Sequence, residues 1–117
     1  MVARYIDQYV EQGASFSSMI TISDKNGIPL NLSSYSVASA AKRSYAANTI
    51  AMIFTANVAN PANGVITLAL DASTSSNVPY GRYVYDVALT DPSGFVTRAV
   101  EGKVNVSPGV TGVTPPL

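Results

Sequence analysis

The stretch that most limits what this chain can become is Gly81–Val106, GRYVYDVALTDPSGFVTRAVEGKVNV. In its first arm Tyr83, Tyr85, Val87 and Leu89 fall on one face, and Val84, Asp86, Ala88 and Thr90 on the other. A period of two is the signature of a strand with one face in a core. Asp91-Pro92-Ser93-Gly94 then supplies a turn. The Asp91 side chain caps it, Pro92 fixes φ at the second position, and Gly94 tolerates positive φ. The second arm, Phe95 to Val106, is rich in valine and breaks at Glu101-Gly102, where a mid-strand glycine marks a bulge or a close backbone approach. An isolated hairpin is marginal in water, so this one needs further strands to join.

The rest of the chain reads as those strands. Arg4–Val10 is expected as the first, ended by Glu11-Gln12-Gly13. Ser15–Ser23 alternates, with Phe16, Ser18, Ile20 and Ile22 on one face. Asp24-Lys25-Asn26-Gly27 is a turn, and Pro29 confines Ile28-Pro29-Leu30 to an edge or a short extended step. Ser36–Arg43 is alanine-rich, which favours helix on propensity. It has no apolar stripe at helical spacing and lies between turn clusters, so a strand is expected. Thr49–Val58 reads as a strand with Ile50, Met52 and Phe54 inward, Ala59–Gly64 as a turn, and Val65–Leu70 as a strand with Ile66, Leu68 and Leu70 inward. Asp71 is placed to N-cap a single helical turn. Short strands separated by turn signals, with no long helical pattern, predict an all-β chain folded as an antiparallel β-sandwich.

The length, 117 residues, suits one domain with a modest core. Residues 1–106 are expected to form it, and 107–117, SPGVTGVTPPL, to form an extended C-terminal arm with no core-forming period. Charged residues make up 12% of the chain and the net charge is zero, against a usual charged share of about a quarter. A surface so poor in charge suits a domain covered by neighbours. The absence of any basic run leaves nucleic-acid binding without an electrostatic footprint. No apolar run is long enough to span a bilayer as a helix, and the first residues lack a signal-peptide core, so the chain is expected to be made in a cytoplasm and to stay there or join an assembly.

Chemistry finds little to work with. The sequence has no histidine and no cysteine. It therefore offers no imidazole base, no thiolate and no His- or Cys-ligated metal. Asp24, Asp71 and Asp91 sit where turns and caps want them. Asp24-Lys25-Asn26-Gly27 lacks the later ligands of a calcium loop. The expectation is a non-enzymatic protein with no cofactor. Asp86 and Arg98, on opposite arms of the hairpin, are expected as direct or diagonal cross-strand neighbours. They read as an ion pair that fixes register, or else as a charged contact for a partner. Tyr83 and Tyr85 read as core residues with wet hydroxyls.

Several motifs carry a resemblance. The chain has an opening strand ending in Glu11-Gln12-Gly13. A D-x-x-G-x-P-x-x-L-x-x-Y step runs from Asp24 to Tyr35, and a G-x-Y-x-Y-D strand from Gly81 to Asp86. The closing R-x-x-x-G-x-V-x-V-x-P-x-V-T runs from Arg98 to Thr111. Together these resemble small immunoglobulin-like structural proteins of tailed bacteriophages, including contractile-tailed cyanophages. Related modules stand at the N-termini of baseplate and receptor-binding-device proteins, where they dock a larger piece. The resemblance implies an immunoglobulin-like sandwich of about seven strands. It implies a virion subunit, standing alone after Leu117, that acts as an adaptor of tail, baseplate or neck. Capsid decoration and host-surface glycan binding are the alternatives. Its partners would be other virion proteins, in multiple copies of a symmetric assembly, with no nucleic acid and no membrane. Val110, Val113 and Leu117 on the arm are the expected partner-binding residues.

Overall fold

In the computed structural model the protein is described over residues 4–24 and 26–109. Over the described residues it is all-β, with eight strands. These are β1 (Arg4–Tyr5), β2 (Gln8–Glu11), β3 (Phe16–Thr21), β4 (Ser36–Lys42), β5 (Met52–Asn60), β6 (Val65–Leu70), β7 (Gly81–Thr90) and β8 (Val96–Ser107). A 3-10 turn at Pro61–Asn63 follows β5, and one short helix, α1 (Ala72–Ser76), precedes β7. The strand order is β1-β8-β7-β4-β5-β6-β3, with β2 also on β8. Strands β1 and β2 run parallel to β8, and all other pairings are antiparallel.

Strand β5 makes this mixed sheet curl. Its first residues, Met52–Phe54, pair with β4, whereas Thr55–Asn60 pair with β6. The chain changes partner midway, which brings the two ends of the strand order round to share a core. Phe54 packs against Phe16 of β3 on one side, with ring centroids 5.6 Å apart, and against Tyr85 of β7 on the other, at 6.1 Å. The core runs continuously through Ile20, Ile66 and Leu68 to Val87, Leu89, Val100 and Val104.

The hairpin is built as its alternation predicts. Tyr83, Tyr85, Val87 and Leu89 are buried. Asp91 Oδ1 accepts the backbone N–H groups of Ser93 and Phe95, both at 2.9 Å, and Gly94 adopts φ of 92°. The irregularity of β8 is not at Glu101-Gly102. The register slips between Val87 and Ala88, which pair with Val100 and Arg98, so Ala99 is the extra residue. Ala99 and Val100 are consequently buried in succession, and the inward parity passes to Gly102, Val104 and Val106. Gly102 stays in register opposite Tyr85. It is needed for close approach: a Cβ built there would lie 2.0 Å from the Ile6 carbonyl oxygen.

Other expectations shift in detail. The first strand is split at Ile6-Asp7. Here the Asp7 carboxylate, rather than a main-chain carbonyl, accepts the Lys103 N–H at 3.1 Å. Strand β5 begins at Met52, and Ile50 is exposed rather than inward. The alanine-rich segment is strand β4, because pairing on both edges with β5 and β7 outweighs its weak helical preference. Asp71 caps α1 by accepting the Thr74 N–H at 2.7 Å. These bonds favour the ionised form and hold the Asp71 carboxyl below the usual range.

Candidate functional site

Three places on the surface gather residues that could act on something outside the chain. The first is the outer face of β4, β7 and β8. Across the hairpin Asp86 stands directly opposite Glu101, a like-charge pairing that would be unfavourable alone. Arg98, diagonal to Asp86, resolves it. Its Nε lies 3.3 Å from Asp86 Oδ2 and its Nη1 3.4 Å from Glu101 Oε2. The bulge at Ala99 places Glu101 across from Asp86, so one guanidinium serves both carboxylates. These side chains are about half exposed, and such pairs are worth little individually. Beside them is a cleft of about 200 Å³, lined also by Ala40, Lys42, Tyr45, Ile50 and Val84. Nearby, desolvation first and then the Asp7 carboxylate push the Tyr5 phenol up, with Tyr45 and Glu101 adding to the shift.

The second place is the gap where the strand order stops. Among the described residues β3 is paired as a strand with β6 alone. Facing its other edge across a groove are β1 and β2. One part of the groove, about 590 Å³, is lined by Gln8, Tyr9, Phe16, Ser17 and Ser18 among others. The next, about 600 Å³, is lined by Arg4, Asp7, Met19 and Thr21 with their neighbours. Arg4 Nη1 reaches across to the Thr21 carbonyl at 3.4 Å.

The third place is where β8 leaves the sheet. The Gln12 side chain is buried. Its Nε2 donates to the Val78 carbonyl at 2.7 Å, and its Oε1 accepts the Gly109 N–H at 3.3 Å. Gln12 N–H also donates to the Ser107 carbonyl at 3.0 Å. One carboxamide thus ties the segment after α1 to the outgoing chain. Ser75, fully buried in α1, supports it by accepting the Gly13 N–H at 3.1 Å and donating to the Ala14 carbonyl at 2.8 Å. Sequence reading missed Gln8, Gln12 and Ser75, since a lone Gln or Ser in polar text carries no signal of burial.

Of the expected site residues, Asp86 and Arg98 are brought together as described. Val110, Val113 and Leu117 lie outside the described residues. The Tyr83 and Tyr85 hydroxyls each bond to a backbone carbonyl. Tyr83 donates to the Pro79 carbonyl, and Tyr85 to the Ile6 carbonyl at 2.6 Å while accepting from Gln8 Nε2 at 3.4 Å. Burial pushes both phenols up, eased for Tyr83 by Arg43 and for Tyr85 by Gln8. Among the described residues no group of three or more His, Cys, Asp or Glu side chains could hold a metal ion, and no helix is long and apolar enough to cross a membrane.

No protein-family model matches the chain, and no curated protein matches it significantly. Among solved structures, an internalin-like protein of Listeria monocytogenes is similar at 15% identity with a TM-score of 0.45. The match covers 92% of this chain and 28% of that one.

Proposed function

We propose that the chain is an immunoglobulin-like β-sandwich serving as a non-enzymatic structural subunit of a tailed-phage virion, an adaptor at tail, baseplate or neck. The sandwich reading is supported by strand pairing. Strands β3 and β6 with the second half of β5 pair as strands B, E and D of an immunoglobulin domain do, and β4, β7 and β8 pair as C, F and G. Tyr83, near the start of the F-like strand, bonds back to the Pro79 carbonyl in the manner of a tyrosine corner.

The observation that carries the functional reading is the surface. Tyr9, Met19, Ile53 and Phe95 are each about 70% exposed, on a chain with only 12% charged residues. Such a surface is poorly suited to a free monomer and well suited to one covered by neighbours. The motif resemblance to phage structural proteins supplies the setting: other virion proteins as partners, in a particle built in the bacterial cytoplasm. Capsid decoration fits the same surface. Glycan binding is the second reading, favoured by the cleft beside Tyr45, Asp86 and Arg98.

Deletion of the gene in the phage that encodes it tests the proposal. The structural reading expects particles that lack a defined component and assemble or attach defectively. Intact particles of unchanged composition, with loss only of polysaccharide binding, would support the glycan reading instead.

A further inference from the structure

We propose that Asn26-Gly27 is a site of spontaneous covalent modification, at which the asparagine is converted to aspartate and isoaspartate by attack of its own main chain. The fold protects the second such pair, Asn63-Gly64. Of the asparagines in the sequence only these two precede a glycine. The reaction begins when the deprotonated amide nitrogen of the following residue attacks the asparagine Cγ. The Cγ–Nδ2 bond breaks, ammonia leaves and a succinimide ring closes. Water then opens the ring at one of its two carbonyls, giving aspartate or isoaspartate. Nothing is oxidised or reduced, and solvent water is the only co-reactant. A side chain on the attacking residue obstructs the approach and restricts the backbone rotation it needs, and glycine does neither.

The two pairs share a sequence but not a setting. Asn26, Gly27, Ile28 and Pro29 are all exposed. Apart from its chain neighbours, nothing lies within 4 Å of where a Gly27 Cβ would stand. The Gly27 N–H donates to the Asp24 carbonyl at 3.0 Å, and Asp24 Oδ1 accepts the Asn26 N–H at 2.8 Å. Water replaces these exposed bonds when the turn opens, and no packing is lost. Asn63 is exposed too, so access to the side chain does not separate the pairs. The glycine does. Gly64 is buried and its carbonyl accepts the Ile22 N–H at 2.7 Å. A Cβ there would meet the Ile22 and Leu30 carbonyl oxygens at 2.5 and 2.7 Å. Swinging its nitrogen onto Asn63 Cγ would part the start of β6 from Ile22 and Leu30. At Asn26 the reaction adds a carboxylate beside Asp24, on a turn that carries the exposed Ile28. The isoaspartate form also routes the main chain through the side-chain methylene. That lengthens the step between the Asn26 and Ile28 N–H groups, which Asp24 Oδ1 holds together. The modification needs no partner and does not rest on the phage reading.

The full-length chain is incubated in mildly alkaline buffer, folded and, in parallel, unfolded in guanidinium chloride. Peptides containing Asn26 and Asn63 are followed by mass spectrometry, with the isoaspartate forms separated by chromatography. The proposal expects similar rates at the two sites in the unfolded chain. In the folded chain Asn26 should keep a rate within about tenfold of its unfolded one, and Asn63 should slow by on the order of a hundredfold or more, because an exposed turn opens far more readily than a packed junction. Gly27→Ala, confirmed as folded by circular dichroism, should slow the reaction at Asn26 in both states and leave Asn63 unchanged. Folded-chain rates that are equal at the two sites, or faster at Asn63, would overturn the proposal. So would an Asn26 that stays intact in the folded chain while the unfolded chain reacts, or a Gly27→Ala chain that reacts at Asn26 as wild type does.

Discussion

The Tyr85 hydroxyl donates to the Ile6 carbonyl oxygen at 2.6 Å, and that oxygen occupies the space a side chain on Gly102 would need. Three distant parts of the chain meet there: the break between β1 and β2, the inward face of β7 and the middle of β8. The parallel edge pieces are thereby locked to the hairpin.

Gly102→Ala is expected to destabilise the fold by about 1–3 kcal/mol, the usual range for overpacking, because its Cβ would meet main-chain atoms that cannot rotate away. Gly27 makes the comparison informative. It has positive φ but open space around it, so Gly27→Ala should cost only its backbone strain. Urea unfolding of the two variants checks this. A Gly102→Ala protein as stable as wild type would mean that Ile6 does not press on β8.

Tyr85→Phe should cost about 1–3 kcal/mol by leaving the Ile6 carbonyl without its donor. Because burial raises the Tyr85 phenol, the folded state prefers the neutral hydroxyl. That contribution is complete below the unfolded value of about 10 and is lost as pH rises through the higher folded value. Wild-type stability should therefore fall above about pH 10, less steeply in Tyr85→Phe. Tyr83 and Tyr5, also raised, keep the remaining slope. Identical alkaline profiles would exclude a titrating role for Tyr85.

Much of this hairpin is legible in the sequence, because alternation over Tyr83–Leu89 and the Asp91–Gly94 turn are local signals. Gly102 also announces itself as a close approach. What presses on it does not, since Ile6 lies far away in sequence and parallel pairing leaves no local mark. The bulge at Ala99 is concealed for a related reason: Ala99 and Val100 are both apolar, so the parity change reads as ordinary valine-rich strand. Ile50 misleads because apolar alternation continues past the start of β5 into an exposed loop.

Asp86 and Arg98 should show a double-mutant coupling of about 0.3–1 kcal/mol, the range for half-exposed pairs, and larger at low salt. Arg98→Ala leaves Asp86 facing Glu101, so adding Glu101→Gln to that variant should recover part of the loss. A coupling within the error of independent sites, or no recovery, would remove the arginine bridge from the account.

The Asp91 carboxyl is held below the usual range first by the Ser93 hydroxyl, then by the Phe95 N–H. Its folded value lies below its unfolded one, so its contribution is present above about pH 4 and is lost as pH falls through the folded value. Exchange of the Ser93 and Phe95 amides, corrected for intrinsic rate, should accelerate in that acid window in wild type. In Asp91→Asn it should be pH-independent. Exchange of these amides that stays unchanged in wild type as pH falls until the fold itself unfolds would contradict the assignment.

Whether this chain is present in purified tailed-phage particles, and in how many copies, tests the proposed virion role most directly, measured by quantitative mass spectrometry against a labelled full-length standard. The account predicts several copies per particle, in a fixed integer ratio to a ring or shell protein of known symmetry and retained through high-salt washing. Absence from washed particles, with the protein found free in the lysate, would contradict it.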